Sequence, residues 1–215
     1  KVGWVGTMSA KKSKARERKQ WIIVAAIVAA VALLAAWWCI LKVSQSSKEH
    51  EQSTVALPDA AKFKQHYSQV ADDNRFVYVS PSEIKQIFEH GSGLVFLGFK
   101  ECPWCQKLAP MIDEAAKAEG LTKVYYMDIR QARANNDVTY QMLVEKLKDY
   151  LAKDGDGNPR IFVPDVTALH DGKIVGRFLP ETSIDDKGLT SGEYWTTERR
   201  ADAIKQLREI IAKTR

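Results

Sequence analysis

Apolar and polar positions divide the 215-residue chain into stretches of different period. The first stretch is unbroken. Trp21 to Leu41, WIIVAAIVAAVALLAAWWCIL, holds neither a charge nor a proline over 21 residues. At about 1.5 Å per residue a helix of that length crosses a hydrocarbon layer about 30 Å thick. A buried core helix would normally keep some polar face, so the pattern predicts a transmembrane helix over 21–41. The next stretch, Lys42 to Ala61, is polar and serine-rich without a period, as expected of a tether. A short helix over 62–72 then leads into a domain covering 62–215.

Within that domain the periods alternate between those of strands and helices. RFVYV at 75–79 reads as a strand. Ser80, Pro81 and Glu83 supply an N-cap, a first-turn proline and a capping-box acid, with Ile84, Ile87 and Phe88 as the apolar stripe and Gly91 and Gly93 as the stop. LVFLGF at 94–99 is continuously apolar, the mark of a strand buried on both faces. Leu108, Met111, Ile112 and Ala115 recur at helical spacing, Gly120 stops them, and KVYYMDI at 123–129 is a third strand. Tyr140, Leu143, Val144, Leu147 and Leu151 share one face of a helix over 139–153, and the turn-rich GDGNP follows. RIFV at 160–163 and VTALHDGKIVGRF at 166–178 predict strands, with a type I′ hairpin at Asp171-Gly172. Ala201, Ile204, Leu207 and Ile211 face inward on a last helix over 197–213. The order β-α-β-α-β-α-β-β-α predicts an α/β domain without internal repeats.

Charge changes the picture only at the N-terminus. Of 32 Lys and Arg and 27 Asp and Glu, seven bases and one acid, Glu17, fall in residues 1–20, which leaves 25 bases against 26 acids beyond. A domain so balanced offers no electrostatic footprint for nucleic acid. The basic cluster between Lys11 and Lys19 keeps residues 1–20 cytoplasmic by the positive-inside rule, which places the C-terminal domain outside the membrane. Trp21 suits the inner interface and Trp37 and Trp38 the outer one. Those bulky residues also stand where a cleavable leader would need a small-x-small site, so the helix is expected to stay as an anchor. Cys39 follows Trp38 instead of a small residue, and reads as an apolar filler. Residues 1–7, ahead of Met8, are expected to be an upstream extension or cloning remnant.

Two of the three cysteines stand together in FKECPWCQKLAPMIDE, residues 99–114. Cys102 falls at a strand-to-helix turn, where unpaired backbone N–H groups and the helix dipole favour a thiolate and lower its pKa below about 8.5. Cys105 is one helical turn away. Such a pair can attack a substrate disulfide through Cys102 and release the product when Cys105 closes an internal disulfide, or run backwards as a disulfide donor. A structural staple is disfavoured because so short a loop restricts the unfolded chain little. A zinc site is disfavoured because it needs about four ligands, while His50, His66, His90 and His170 are scattered. A copper-handling module remains the metal alternative. Lys100 and Glu101 act on a Cys102 thiolate in opposite senses, and both read as exposed bystanders.

CPWCQKLAPMIDEAA resembles the C-x-x-C-x4-P helix of the thioredoxin family. The resemblance covers about residues 75–213 and implies a thioredoxin fold, a central mixed β-sheet flanked by helices. It implies Cys102 as attacking thiol, Cys105 as resolving thiol, Pro110 as the helix kink and Trp104 within the substrate surface. Pro164 in IFVPDVTALHDGKIVG resembles the family's cis-proline, which lies beside the cysteines in space. A cis bond there would turn the Val163 backbone toward an incoming peptide and let it add as a strand. The implied activity is thiol-disulfide exchange with protein substrates, without a cofactor or metal, recharged by a membrane redox partner. Pro103-Trp104 is more similar to the Pro-aromatic dipeptides of glutaredoxins and disulfide-donating relatives than to the thioredoxin Gly-Pro. Together with the external location, Pro103 favours an oxidant or isomerase. Phe96 stands where thioredoxins carry a buried aspartate, and residues 134–158 form an insertion. With the anchor, these features resemble extracytoplasmic thioredoxin-like proteins of Gram-positive bacteria, bacteriocin transport accessory proteins among them. The alternative from another class is a non-enzymatic accessory or metal-chaperone module that uses the same fold for docking.

Two further stretches invite readings. Asp154, Asp156 and Asn158 have calcium-loop spacing, but Pro159 replaces the required glycine and Asp165 the final glutamate, so a simple turn is expected. The loop over 179–198 is long. An idle surface excursion is favoured there over a cover for the active site or a partner-binding segment.

Overall fold

The computed structural model describes residues 58–180 and 188–215. The helix expected over 62–72 is α1, Asp59–His66. It starts inside the assigned tether because the Pro58 carbonyl accepts the first helical bond, from Lys62 N–H at 3.0 Å, and Asp59 opens the first turn. It ends early because Tyr67 leaves helical geometry (φ −128°, ψ 78°). The 21–41 span, the basic tail, most of the tether, Cys39 and His50 lie outside the described residues. Among the described residues no helix is long and apolar enough to cross a membrane.

The strands are β1 Phe76–Tyr78, β2 Gly93–Gly98, β3 Val124–Asp128, β4 Asp165–His170 and β5 Lys173–Phe178. They form one sheet in the order β1-β3-β2-β4-β5. β1 and β2 flank β3 in parallel, β4 runs antiparallel to β2, and β5 antiparallel to β4. The sheet is therefore mixed, with β2 between a parallel and an antiparallel neighbour. Between the strands lie α2 Pro81–His90, α3 Pro103–Ala118, α4 Arg130–Asn135 and α5 Val138–Leu147, with α6 Ser191–Tyr194 and α7 Thr197–Ile211 after β5.

Period-2 alternation along β2 serves two cores. Leu94 and Phe96 join Leu108, Met111, Ile112 and Leu207 on the face covered by α1, α3 and α7. Val95 and Leu97 join Ile84, Phe88, Leu143 and Leu147 on the face covered by α2 and α5. A strand covered on both faces needs an unbroken apolar run, as its sequence shows.

Local signals explain the element ends. Ser80 Oγ accepts the Glu83 N–H at 3.3 Å while the Glu83 carboxylate accepts the Ser80 N–H at 2.7 Å, which closes the capping box of α2. Ser80→Ala is expected to cost about 1 kcal/mol, read as a lowered urea midpoint with an unchanged slope. At the β4–β5 hairpin Asp171 and Gly172 both have positive φ, 48° and 73°, as a type I′ turn requires. A Cβ at Gly172 would also collide with the Glu89 carbonyl.

RIFV is not a strand. The Arg160 and Ile161 N–H groups turn away from the sheet, to the Ala152 carbonyl at 2.9 Å and the Tyr140 hydroxyl at 3.2 Å, and Pro164 has no N–H to add to a ladder. The helix expected over 139–153 stops at Leu147 and tightens into a 3₁₀ turn, Lys148–Tyr150. Asp154 closes a turn in which its Oδ1 accepts from the Asp156 and Asn158 N–H groups, so the carboxylate is spent on the backbone.

Candidate active site

The cysteine pair lies where β2 gives way to α3. The chain turns after Gly98, the Cys102 N–H bonds back to the Phe99 carbonyl at 3.1 Å, and Cys102 becomes the N-cap of α3. Its sulfur takes the place of a capping oxygen and accepts the Cys105 N–H at 3.2 Å. Pro103 opens the helix where its missing N–H costs nothing. Both cysteines are free thiols. Cys102 keeps 6% of its surface exposed and Cys105 none, so Cys102 is the one within reach of another molecule.

The two sulfurs differ electrically as well as sterically. The hydrogen bond from the Cys105 thiol is the strongest influence on Cys102. Burial opposes it, while the Cys105 and Trp104 N–H groups and the Arg133 charge add to it, and the thiol is brought down to about 7. Burial, followed by the bond to Cys102 and its charge, holds the Cys105 thiol above the ordinary range. Near neutral pH a substantial fraction of Cys102 is therefore thiolate at the helix mouth, while the sulfur beneath it keeps its proton.

Neighbouring elements fix this geometry. The Gln106 side-chain amide donates to the Lys100 carbonyl at 2.6 Å and the His66 carbonyl at 2.7 Å, tying the turn before Cys102 to the end of α1. A Cβ on Gly98 would lie 3.1 Å from Cys105 Sγ and 3.0 Å from the Phe96 ring, tight enough that one of them would have to shift, so glycine leaves room for the inner thiol. Phe96 is fully buried, its ring 5.4 Å from that of Tyr126. Around the inner thiol stand the buried Tyr67 and Tyr126 hydroxyls, bonded at 2.9 Å and both pushed up, chiefly by burial, and the Asp128 charge acts in the same sense on both and on Cys105.

The residues expected to join the cysteines do so in part. The Val163–Pro164 bond is cis and the Val163 carbonyl lies 3.9 Å from Cys102 Sγ, so a segment 61 residues away meets the thiol. Trp104 is half-buried, with the Tyr194 ring at 5.0 Å. That contact corrects the reading of 179–198 as idle: Tyr194 and Trp195 are buried in the α3 core because α6 folds back onto α3. Residues 181–187 of the loop lie outside the described residues.

Glu101 is exposed but not idle, because it pairs with Arg130 at 3.0 Å and its charge is met there. Arg133 is the site residue that sequence reasoning missed. It is half-buried on α4, its guanidinium 5.1 Å from the Phe99 ring and 3.4 Å from the Ile161 carbonyl. Alkylation of Cys102 is expected to be half-maximal near pH 7, and Arg133→Met to move that midpoint up by about half a pH unit. Peptide mass spectrometry separates Cys102 from the other thiols; an unmoved midpoint would remove Arg133 from the site.

His66 Nδ1 is 2.7 Å from the Tyr78 hydroxyl, His170 Nδ1 is 3.2 Å from the Thr214 carbonyl, and His90 is exposed. Among the described residues no three His, Cys, Asp or Glu side chains are grouped to hold a metal ion.

No protein-family model matches the chain, and neither does any curated protein.

Proposed function

We propose that the chain is a membrane-anchored thiol-disulfide oxidoreductase with a thioredoxin-type catalytic domain outside the membrane, acting on protein substrates. The observation that carries the reading is the asymmetry of the pair. Cys102 is nearly covered but reachable, tuned to about 7 and bonded by the Cys105 N–H at 3.2 Å, while Cys105 is buried and protonated beneath it. The cis Val163–Pro164 bond beside Cys102 and the mixed sheet with helices on both faces support the same reading.

In the reducing direction the Cys102 thiolate attacks one sulfur of a client disulfide, and that S–S bond breaks as the mixed disulfide forms. The departing client sulfur leaves as a thiolate and takes a proton from solvent. Cys105 then attacks Cys102, its proton passing through solvent to the client sulfur it displaces, so that the internal disulfide closes and the second client thiol departs. Two electrons pass from the pair to the client, and the reverse sequence oxidises a client dithiol. A membrane redox partner that exchanges electrons with the pair completes the cycle.

Backbone recognition fits Phe162 and Val163, which lie outside the strand ladder, with Phe162 exposed and the Val163 carbonyl beside Cys102. The test is catalysed exchange between glutathione buffers and a disulfide-bonded peptide, using the full chain in an uncharged detergent. Turnover that disappears when Cys102 is alkylated supports the proposal. A chain whose pair equilibrates with glutathione yet turns over no peptide would instead be a docking module.

A further inference from the structure

The rim of the site is electrically lopsided. On one side of Cys102 stand Trp104 and Tyr194, their rings 5.0 Å apart. On the other stands Arg133, whose charge reaches Cys102, with Arg160 beyond it, each against an aromatic ring: Arg133 at 5.1 Å from Phe99 and Arg160 at 5.7 Å from Phe162, which is 40% exposed. Arg130 nearby is met by Glu101 at 3.0 Å. Arg133 and Arg160 have no carboxylate partner among the described residues. The Arg160 Nε is buried without a hydrogen-bond acceptor. Burial, and after it the charge of Arg160, disfavours the charge on Arg133, so the two cations oppose each other. Two cations that repel each other, half-buried and met by no carboxylate, are unfavourable once the Cys102 thiolate that faces Arg133 is consumed in a mixed disulfide, unless something anionic takes its place.

Their place in the chain points to what that is. The Arg133 guanidinium reaches the Ile161 carbonyl at 3.4 Å, Arg160 immediately precedes that residue, and the Val163 carbonyl faces the Cys102 sulfur at 3.9 Å. Both cations thus flank the 160–163 segment, against which a client backbone would be laid down. We infer that Arg133 and Arg160 form a carboxylate-reading subsite, so that the preferred clients are polypeptides with an acidic residue beside the reacting cysteine. This rests on the oxidoreductase reading and deepens it, since the subsite matters only if a client chain reaches Cys102. An acidic neighbour supplies the missing counter-ion as the mixed disulfide forms. A basic neighbour would add a third cation to an uncompensated pair.

Three disulfide peptides that differ only in Asp, Gln or Lys next to the client cysteine test this with the full chain in an uncharged detergent. The acidic peptide is expected to react about fivefold or more faster than the basic one in kcat/KM at low salt. The ratio should shrink toward unity at about 1 M salt, where screening extends over only about 3 Å. Arg160→Gln should reduce the low-salt ratio to less than about twofold, and Arg160→Lys should restore part of it. Equal rates for the acidic and basic peptides in the unaltered chain would overturn the inference without any variant, as would a ratio that survives Arg160→Gln. Failure of all three peptides to react would overturn the oxidoreductase reading itself, and the subsite with it.

Discussion

Cys102→Ser is expected to abolish disulfide exchange, by at least about a thousandfold, while Cys105→Ser arrests it halfway. Disulfide exchange needs a sulfur anion, and its rate follows the fraction of thiolate present near the working pH. Cys102 supplies that fraction because its sulfur caps α3 and its thiol is brought to about 7. A serine oxygen keeps the cap but stays protonated at any pH the fold survives. Cys105 does not touch the client, since its surface is wholly covered. Removing its sulfur leaves the first attack intact and deletes the second. Cys105→Ser should therefore accumulate as a mixed disulfide through Cys102, seen as a mass increase equal to the client and lost on treatment with dithiothreitol. Cys105→Ala should in addition move the alkylation midpoint of Cys102 upward, because the thiol that donates to it is the first cause of its ionisation. Exchange that survived Cys102→Ser would transfer the attack to another thiol and end the role assigned to this one.

That pair was legible in the sequence because its chemistry is local. An apolar strand, a turn and a helix-opening proline place Cys102 at a helix mouth without knowledge of the rest of the fold. The same holds for the α2 capping box and for Asp171-Gly172, whose positive φ values need no distant partner. Arg133 was not legible. It lies on α4, six residues long and too short to show a stripe, and reaches the site only because β3 lies beside β2 and places Ile129 within reach of the Gly98 carbonyl, at 3.1 Å.

Apolar pattern alone misled at 160–163. An apolar run bounded by turns reads as a strand, but its backbone donors had better acceptors off the sheet in the Ala152 carbonyl and the Tyr140 hydroxyl. The 179–198 stretch failed for the opposite reason. Polar composition argued for a surface excursion, while two aromatic residues in it, Tyr194 and Trp195, were enough to fold its later part onto α3. In both places tertiary partners outweighed the local pattern.

Directly behind the cis proline lies the strongest stability prediction. Asp165 is fully buried at the start of β4, its carboxylate paired with Arg177 of β5 and accepting the Thr167 hydroxyl at 2.9 Å. Arg177 also donates to the Tyr150 carbonyl at 2.9 Å, so it joins β5 to the turn after α5. Burial pushes the Asp165 carboxyl up, and Arg177 and Thr167 pull it back. Arg177→Met removes the opposing charge and leaves the buried carboxylate with the Thr167 hydroxyl as its remaining support, which is expected to cost about 3–5 kcal/mol at pH 7.5.

The sign of the pH dependence follows from proton counts. In the variant the folded pKa of Asp165 is raised still further above the unfolded value of about 3.9, so the native state holds the extra proton between the two values. Stability therefore falls as pH rises through that window and flattens above the folded value. The deficit relative to the unaltered protein should be smallest near pH 4, where the native carboxyl is neutral. Asp165→Asn combined with Arg177→Met should lose less than Arg177→Met alone, because no charge is left to bury. Urea midpoints at pH 4.5 and 7.5 measure both effects. A loss below about 1 kcal/mol at pH 7.5, equal at the two pH values, would mean that water or a rearranged donor meets the Asp165 carboxylate without Arg177. Because Asp165 follows Pro164 and the Val163 carbonyl faces Cys102, the folded fraction of the variant should also exchange disulfides more slowly, a loss that denaturation alone cannot supply.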